Sequence, residues 1–472
     1  MNDIKTEVVV LGSGPGGYSA AFRAADLGKK VVLIEKHENI GGVCLNVGCI
    51  PSKALLHVSK VMNEIKHLKK DGLVDFDNFS YNKEKILSYK DNIVKKLTLG
   101  LKYLANQRKV KIIRGFGKFV SKNKISVQTP SGEHKEVFFE KAIIAVGSRP
   151  VKLPFIPEDP RIIDSTGALQ IKEVPKKMLV IGGGIIGLEM AQVYSELGSK
   201  ITVVEFQDQL MGAADPDIVK PYENMMSSSY DIRLNTKVTK VDASCPKGLN
   251  VSMLNELNKK DITETFDRIL LAVGRVPNGN SIDARKIGLD VNDSGFIKVD
   301  SQLRTNISNI FAIGDVIGQP MLAHKSVAEG RIAAEVISGK NHSFQAKCIP
   351  SVAYTDPEVA WVGLTEKEAK EKNIDYETGV FPWAASGRSL SVGRSEGLTK
   401  MIYDKNHRIL GAGIVGPNAG ELIAEVSLAI EMGCVAEDIS LTIHPHPTLS
   451  ETVMMATEVY EGNSTDTYSP KK

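Results

Sequence analysis

Cysteine is scarce in this chain: Cys44, Cys49, Cys245, Cys348 and Cys434 are the five in a length of 472 residues. An odd, sparse set excludes the disulfide framework of a small secreted protein and fits a reducing compartment. Charge of one sign is equally short, with 59 Lys and Arg against 56 Asp and Glu. That surplus is too small to argue for nucleic acid or an anionic membrane surface as a partner. No apolar run approaches the roughly 18 residues that a membrane helix needs. Met1-Asn2-Asp3-Ile4-Lys5-Thr6-Glu7 leads straight into an apolar strand, with no charged-then-apolar leader, so a cytoplasmic location is the expectation. Size and an apolar share of 42% leave a large folded enzyme of two to four domains as the default.

What is present is a repeat. Glu7–Glu35 matches Lys177–Glu205 without a gap, each copy reading as strand, glycine turn, helix, strand. Gly12, Gly14 and Gly17 recur as Gly182, Gly184 and Gly187, and the closing Glu35 recurs as Glu205. In a dinucleotide fingerprint the first glycine makes the tight turn, the second lets backbone reach a pyrophosphate, and the third lets helix pack on strand. The helix N-terminus then offers its amides to the phosphates. A lone Gly-x-Gly-x-x-Gly is weak evidence, but strand before, helix after and a terminal acid all occur twice. Two nucleotide sites are expected, with Glu35 and Glu205 accepting from a ribose. An acid repels a 2′-phosphate, so the second site reads as one for NAD.

Two further strands, Ala142–Val146 and Ile269–Val273, end in Gly147 and Gly274 and are followed by Pro150 and Pro277, which mark exits from the nucleotide domains. Phe311-Ala312-Ile313-Gly314-Asp315 ends in a carboxylate suited to a hydroxylated ligand, with a turn-capping aspartate as the plainer alternative. Ser59–Lys70 and Lys83–Lys111 carry apolar residues at helical spacing, among them Ile93, Leu97, Leu101 and Leu104. Packed helices with solvated lysine faces are favoured over a docking patch. From about Cys348 the texture becomes strand-like between Gly/Pro turns, with one helical stretch near Glu421–Met432, which suggests a separate α+β domain. Residues 461–472 are polar and read as a loose tail.

Cys44 and Cys49 stand in Gly-Gly-Val-Cys-Leu-Asn-Val-Gly-Cys-Ile-Pro-Ser-Lys. An unbroken helix would separate them by roughly 7.5 Å along its axis, beyond the 4.4–6.8 Å or so between Cα atoms of a disulfide. They can bridge only across irregular backbone, which Gly48 and Pro51 would assist, and such a bridge is reducible. Lys53, four residues past Cys49, would share its helical face and stabilise a thiolate or an electron-rich flavin. Zinc is disfavoured by the wide spacing and the lack of a second Cys/His pair, and two inert buried thiols remain the bland alternative. His444-Pro445-His446-Pro447-Thr448-Leu449-Ser450-Glu451 is the other concentrated site. A histidine in so stiff a loop can be aimed and Glu451 can hold its ring, although taken alone a structural role is favoured.

With these residues assembled, the whole chain resembles the dihydrolipoamide dehydrogenase branch of the flavin-dependent pyridine nucleotide–disulfide oxidoreductases. The cysteine segment, Gly-Gly-Gly-Ile-Ile-Gly-Leu-Glu-Met, Val-Gly-Arg-x-Pro-Asn, Ala-Ile-Gly-Asp, Met-Leu-Ala-His-Lys and His-Pro-Thr-Leu-Ser-Glu carry the likeness. The resemblance implies an α/β protein of two Rossmann-like nucleotide-binding domains with a C-terminal α+β dimerisation domain. It divides the chain into an FAD domain with the redox disulfide (1–149), an NAD domain (150–277), a central segment completing the FAD site (278–347) and an interface domain (348–472). FAD is implied at Gly12, Gly14, Gly17, Glu35, Lys53, Gly117, Gly147, Asp315, Met321, Leu322, Ala323 and His324. NAD is implied at Gly182, Gly184, Gly187, Glu189, Glu205, Val238 and Gly274. Lys53 and Glu189 would form a pair near the reactive flavin nitrogen, Cys49 would face the flavin, and Cys44 would exchange with substrate. His446 and Glu451 match the base and its orienting acid, which in homologues reach the cysteines across a homodimer interface. Lipoyl domains and the acyltransferase core of 2-oxoacid dehydrogenase complexes are the implied partners, with no metal, nucleic acid or membrane. Val43 departs from the usual threonine or serine and removes a hydroxyl near the flavin. Glutathione reductase is the nearest rival, disfavoured by Glu205, and an FAD-loaded interaction protein without turnover is disfavoured by the intact reactive residues.

Overall fold

The computed structural model describes residues 3–468. The chain forms two compact units, one from residues up to Leu55 with Asn78–Val151 and Gly274–Gln345, the other from Leu56–Asp77, Lys152–Val273 and residues from Ala346 on.

In the first unit the strand Ile4–Leu11 lies parallel between Val31–Glu35 and His134–Ile144, with Lys111–Arg114 outside the former and Ile310–Ala312 beside the latter. The unbroken run Val8-Val9-Val10-Leu11 is required because both faces of the sheet are covered. Val8 and Val10 face a core with Ala20, Ala24 and Ala333, whereas Val9 and Leu11 face another with Ile125, Val127 and Ile310. The helices Pro15–Asp26 and Ala323–Ile337 approach backbone to backbone, since a Cβ on Gly16 would stand 2.7 Å from the Ser326 carbonyl oxygen and one on Gly330 2.5 Å from that of Gly16. This contact sets the first turn of Ala323–Ile337 against the first turn of Pro15–Asp26.

The second unit repeats the plan. Tyr230–Arg233, Lys200–Val204, Lys177–Ile181, Arg268–Leu271 and Ile162–Ile163 run parallel in that order. Leu179, Ile181 and Val204 are covered by an antiparallel sheet of Thr236–Asp242, Leu249–Asn255 and Asp261–Phe266. A separate five-stranded antiparallel sheet, from Ser351–Ala353 to Ile409–Gly416, carries the helices Ala419–Met432 and Glu451–Glu461.

Three expectations shift. Pro150 and Pro277 do not merely mark exits: Ser148–Pro150 and Arg275–Pro277 pair antiparallel, so the boundary expected after 277 falls between Val273 and Gly274, and Leu56–Asp77 groups with the second unit. On the helix Lys83–Gln107 the buried positions are Lys90, Thr98 and Ala105, while Leu97 and Leu104 are exposed and Ile93 and Leu101 half-buried. The apolar stripe read from the sequence therefore lies beside the packed face. Residues 462–468 form neither helix nor strand, and the rest of the expected tail lies outside the described residues.

Candidate active site

The first fingerprint closes on itself. Gly12 has φ +101°, a conformation that strains any residue with a Cβ. A Cβ on Gly17 would fall on the Gly12 carbonyl oxygen, so helix and turn touch directly, whereas one on Gly14 would meet nothing within 4 Å. The Glu35 carboxylate is 5% exposed, and accepts from the Ser13 amide at 3.1 Å, from the Ser13 hydroxyl and from the His37 amide at 2.8 Å. The acid thus braces the turn from which a ribose would reach it. Its Oε1, which accepts from the His37 amide, keeps a lone pair for that role.

The cysteines adjoin this turn. Gly41 donates to the Ser13 carbonyl at 2.9 Å, and Gly42, at φ +62°, comes so close that a Cβ would stand 2.5 Å from the Gly14 Cα. From there Gly42–Val47 forms a short helix holding Cys44, Gly48 interrupts it, and Cys49 opens the helix Cys49–Lys70. A Cβ on Gly48 would press on Val43 and Cys44, at 2.8 Å from the Val43 carbonyl oxygen. This compressed joint replaces the axial rise of a continuous helix and lets the Cys44 and Cys49 side chains hydrogen-bond. That bond, burial and the charge of Cys49 push the Cys44 thiol up, against the pull of the Lys53 ammonium. Val43 is exposed.

Asp315 is held by a relay absent from the sequence reading: Ser148 Oγ donates to Asp315 Oδ2 at 2.5 Å and itself accepts from Arg275 Nε at 2.7 Å. The adjoining Gly314 amide donates at 2.7 Å to Glu329, which is 1% exposed and paired with Lys325 at 2.8 Å. Burial pushes the Glu329 carboxyl up in spite of that ammonium. Lys325 and Glu329 have the spacing of a helical ion pair, a signal by which the sequence could have shown them. Met321 and Leu322 lead into the first turn of Ala323–Ile337, with Ala323 at its first position and His324 exposed. There the helix amides have no intrahelical acceptors. Gly147, at φ +62°, lies between the strands His134–Ile144 and Ser148–Pro150, with its carbonyl accepting from the Asn278 amide at 2.9 Å. Gly117 packs where a Cβ would stand 2.6 Å from a Leu11 methyl.

In the second unit the brace recurs. Gly182 has φ +107°, and a Cβ on Gly187 would fall on its carbonyl oxygen, while Gly184 again has nothing within 4 Å. Glu205 accepts from the Gly183 amide at 2.6 Å and the Gln207 amide at 2.8 Å. Both turns thus leave open the place where a pyrophosphate would approach, and both fit a dinucleotide. Glu189, 3% exposed on the following helix, accepts from the Tyr354 amide at 3.1 Å. Val238 is a core residue. Gly274 has φ +110° and accepts from the Val151 amide at 3.1 Å.

His446 and Glu451 come together as the sequence suggested. His446 Nδ1 lies 2.9 Å from Glu451 Oε1, and Glu451 Oε2 accepts from the Thr448 amide at 2.7 Å. The histidine side chain is 77% exposed and the carboxylate 9%. A buried acid thus fixes one ring nitrogen and turns the other outward. Of the described residues, one group of acids has the closeness of a metal site, Asp215, Asp217 and Glu366. The Lys400 ammonium, 1% exposed, fills it at 2.9, 2.6 and 2.7 Å. No helix among the described residues is long and apolar enough to cross a membrane.

Residues 6–330 match the family model described as pyridine nucleotide-disulphide oxidoreductase, and residues 349–457 match its dimerisation domain. The chain is 57% identical over 466 residues to dihydrolipoyl dehydrogenase of Vibrio cholerae, covering 98% of this chain and 97% of that protein. It is 44% identical to dihydrolipoyl dehydrogenase of Geobacillus stearothermophilus, with 97% of each chain covered. Among solved structures it is similar to the HOCl-induced flavoprotein disulfide reductase RclA of Escherichia coli, at TM-score 0.83 and 27% identity, covering 96% of this chain and 98% of that one. LpdA of Mycobacterium tuberculosis shares the fold at TM-score 0.87 and 24% identity, with 96% and 99% covered. Two fingerprints, a dithiol beside the first and family models across both parts of the chain agree: the chain belongs to the pyridine nucleotide-disulphide oxidoreductase family.

Proposed function

We propose that this chain is an NAD-dependent dihydrolipoyl dehydrogenase, oxidising protein-bound dihydrolipoyl groups to the lipoyl disulfide through the Cys44–Cys49 couple. The observation that carries the reading is the close approach of Gly42 to Gly14, which fastens the dithiol segment to the first dinucleotide turn. Gly12, Gly14, Gly17, Glu35, Lys53, Gly117, Gly147, Asp315 and Met321–His324 would hold FAD. Gly182, Gly184, Gly187, Glu189, Glu205, Val238 and Gly274 would hold NAD. When bound, FAD supplies an acceptor for an electron pair from sulfur and a donor of hydride to the nicotinamide.

The chain's own residues carry out the thiol exchange. His446 takes a proton from one substrate thiol at the nitrogen that Glu451 leaves exposed. The resulting thiolate attacks the sulfur of Cys44, and the bond to Cys49 breaks, leaving Cys49 as thiolate. The second substrate thiol then displaces Cys44, which leaves protonated, and the substrate departs as a disulfide. Lys53 supplies positive charge where Cys49 becomes negative.

His446 would serve the cysteines of a second copy in a homodimer. It lies inside the stretch matched by the dimerisation-domain model, and the neighbouring Leu441 and Ile443 are 73% and 95% exposed, as a surface to be covered would be. Lipoyl domains of 2-oxoacid dehydrogenase complexes in the cytoplasm are the proposed partners. An anaerobic titration tests the reading: dihydrolipoamide should raise a long-wavelength thiolate–flavin band, and NAD should then yield NADH. Cys44→Ser should keep the flavin and lose lipoyl turnover; undiminished turnover refutes the exchange step.

A further inference from the structure

The loop that presents His446 has few ties of its own. Among the described residues, no backbone-to-backbone hydrogen bond involves residues 443–448, and Pro445 and Pro447 have no amide to give. Side chains hold the loop instead. Thr448 bonds back to the Pro445 carbonyl at 2.7 Å, and Glu451 takes the His446 ring and the Thr448 amide. A second histidine supplies the remaining anchor. The His444 side chain is turned inward, 5% exposed, with Nε2 2.7 Å from Glu425 Oε1 and Nδ1 2.8 Å from the Thr442 carbonyl oxygen.

Both of those partners are acceptors. Between them they hold both nitrogens of the ring. Glu425 belongs to the helix Ala419–Met432, so the loop is tied to that helix through the His444 ring. His446, two residues on, has the opposite arrangement, with one nitrogen held and the other turned outward. The two histidines divide the work between them: one is locked at both ends, the other at one.

We infer that His444 is a positioning residue for His446, fixing the base by pinning the backbone two residues before it to Glu425. Only Pro445, with its fixed φ, separates the two, so displacement of the anchor passes to the ring that must meet the substrate thiol. The inference rests on the reading of His446 as the base. A merely structural role for the His444–Glu425 pair, holding the C-terminal sheet and helices together, is the alternative to be separated.

The experiment uses the flavin-loaded protein in two assays, dihydrolipoamide oxidation by NAD and NADH oxidation by an artificial acceptor. H444A should lose about 10-fold or more in kcat for dihydrolipoamide, the scale of a misplaced catalytic group, while acceptor turnover stays within about twofold. H444Q, whose amide nitrogen reaches the place of Nε2 and restores the bond to Glu425, should recover most of the loss. In an H446Q background H444A should cost nothing more, because its effect runs through the ring already removed. Full dihydrolipoamide activity in H444A overturns the inference, as does an equal loss in both assays or an undiminished loss in the H446Q background. Should H444A fail to fold, E425A removes the acceptor that holds the ring: a selective fall in kcat supports the inference, and none overturns it. No dihydrolipoamide turnover in the unmodified enzyme sinks the proposed function and this inference together, whereas full turnover by both it and H444A sinks this inference alone.

Discussion

Gly184→Ala separates what the second turn does for the protein from what it does for a ligand. At φ −80° and ψ 175° its backbone suits alanine, and the added Cβ meets no protein atom within 4 Å. Replacing glycine at a compatible position gains about 0.4–1 kcal/mol through the unfolded state. The position caps the helix Ile185–Glu196, where alanine is worse than glycine by an amount of about the same size. These terms offset, so the urea midpoint of the protein without nucleotide should hardly move. The methyl instead occupies the approach of a pyrophosphate and removes at least one backbone contact to it. A hydrogen bond to a charged group is worth about 1.5–3 kcal/mol, which raises the KM for NAD by about 10- to 150-fold. Gly187→Ala is the contrast: its Cβ would strike the Gly182 carbonyl oxygen, and overpacking of that kind costs about 1–3 kcal/mol. A Gly184→Ala protein that unfolds as readily as Gly187→Ala, or one that keeps the original KM, refutes the assignment of this turn to a nucleotide.

His446→Gln should cut dihydrolipoamide oxidation far more than acceptor turnover, and equal loss in the two assays refutes its role as base. Lys400→Met leaves Asp215 and its neighbours uncompensated and should destabilise by about 3–5 kcal/mol in urea unfolding, towards the lower end because Asp217 is 46% exposed. The difference should depend on pH. Burial pushes Glu366 up, but bonds from Lys400 and Tyr376 outweigh it and hold the carboxyl below its usual 4.5. Its contribution is thus complete above pH 4.5 and lost as pH falls through the lowered value. Burial lowers and the three carboxylates more than restore the Lys400 ammonium, which ends above its usual 10.5, so its share persists below that pH and is lost as pH rises through the raised value. A stability difference between wild type and Lys400→Met that stays flat from pH 7 to strongly acid conditions contradicts this account.

The repeat was legible because its physics is local. Glycines at Gly12 and Gly182, a helix start and a closing acid lie within one strand–helix–strand unit, and period-free apolar strands signal a sheet buried on both faces. The break at Gly48 was legible for the same reason, as a conflict between helical rise and disulfide reach. What stayed hidden depends on distant segments. Ser148, Arg275 and Asp315 meet only after two strand ends have paired. Glu425 lies 19 residues before His444, so no spacing rule joins them. Leu97 and Leu104 had the right helical period and the wrong phase, since periodicity finds a face without telling which neighbour covers it. The acids Glu35 and Glu205 were foreseen as ribose acceptors, but not as braces for their own turns.

Asp215, Asp217 and Glu366 gather the oxygens with which other proteins bind a divalent ion, yet their positive charge is carried on a tether rooted in the strand Leu398–Tyr403. A clip of this kind cannot be stripped by a chelator, exchanged for a competing ion or lost on dilution. The helices Pro216–Met226 and Glu366–Glu371 are therefore fastened to that strand by a bond whose strength is independent of any metal supply, and EDTA should leave the melting temperature untouched.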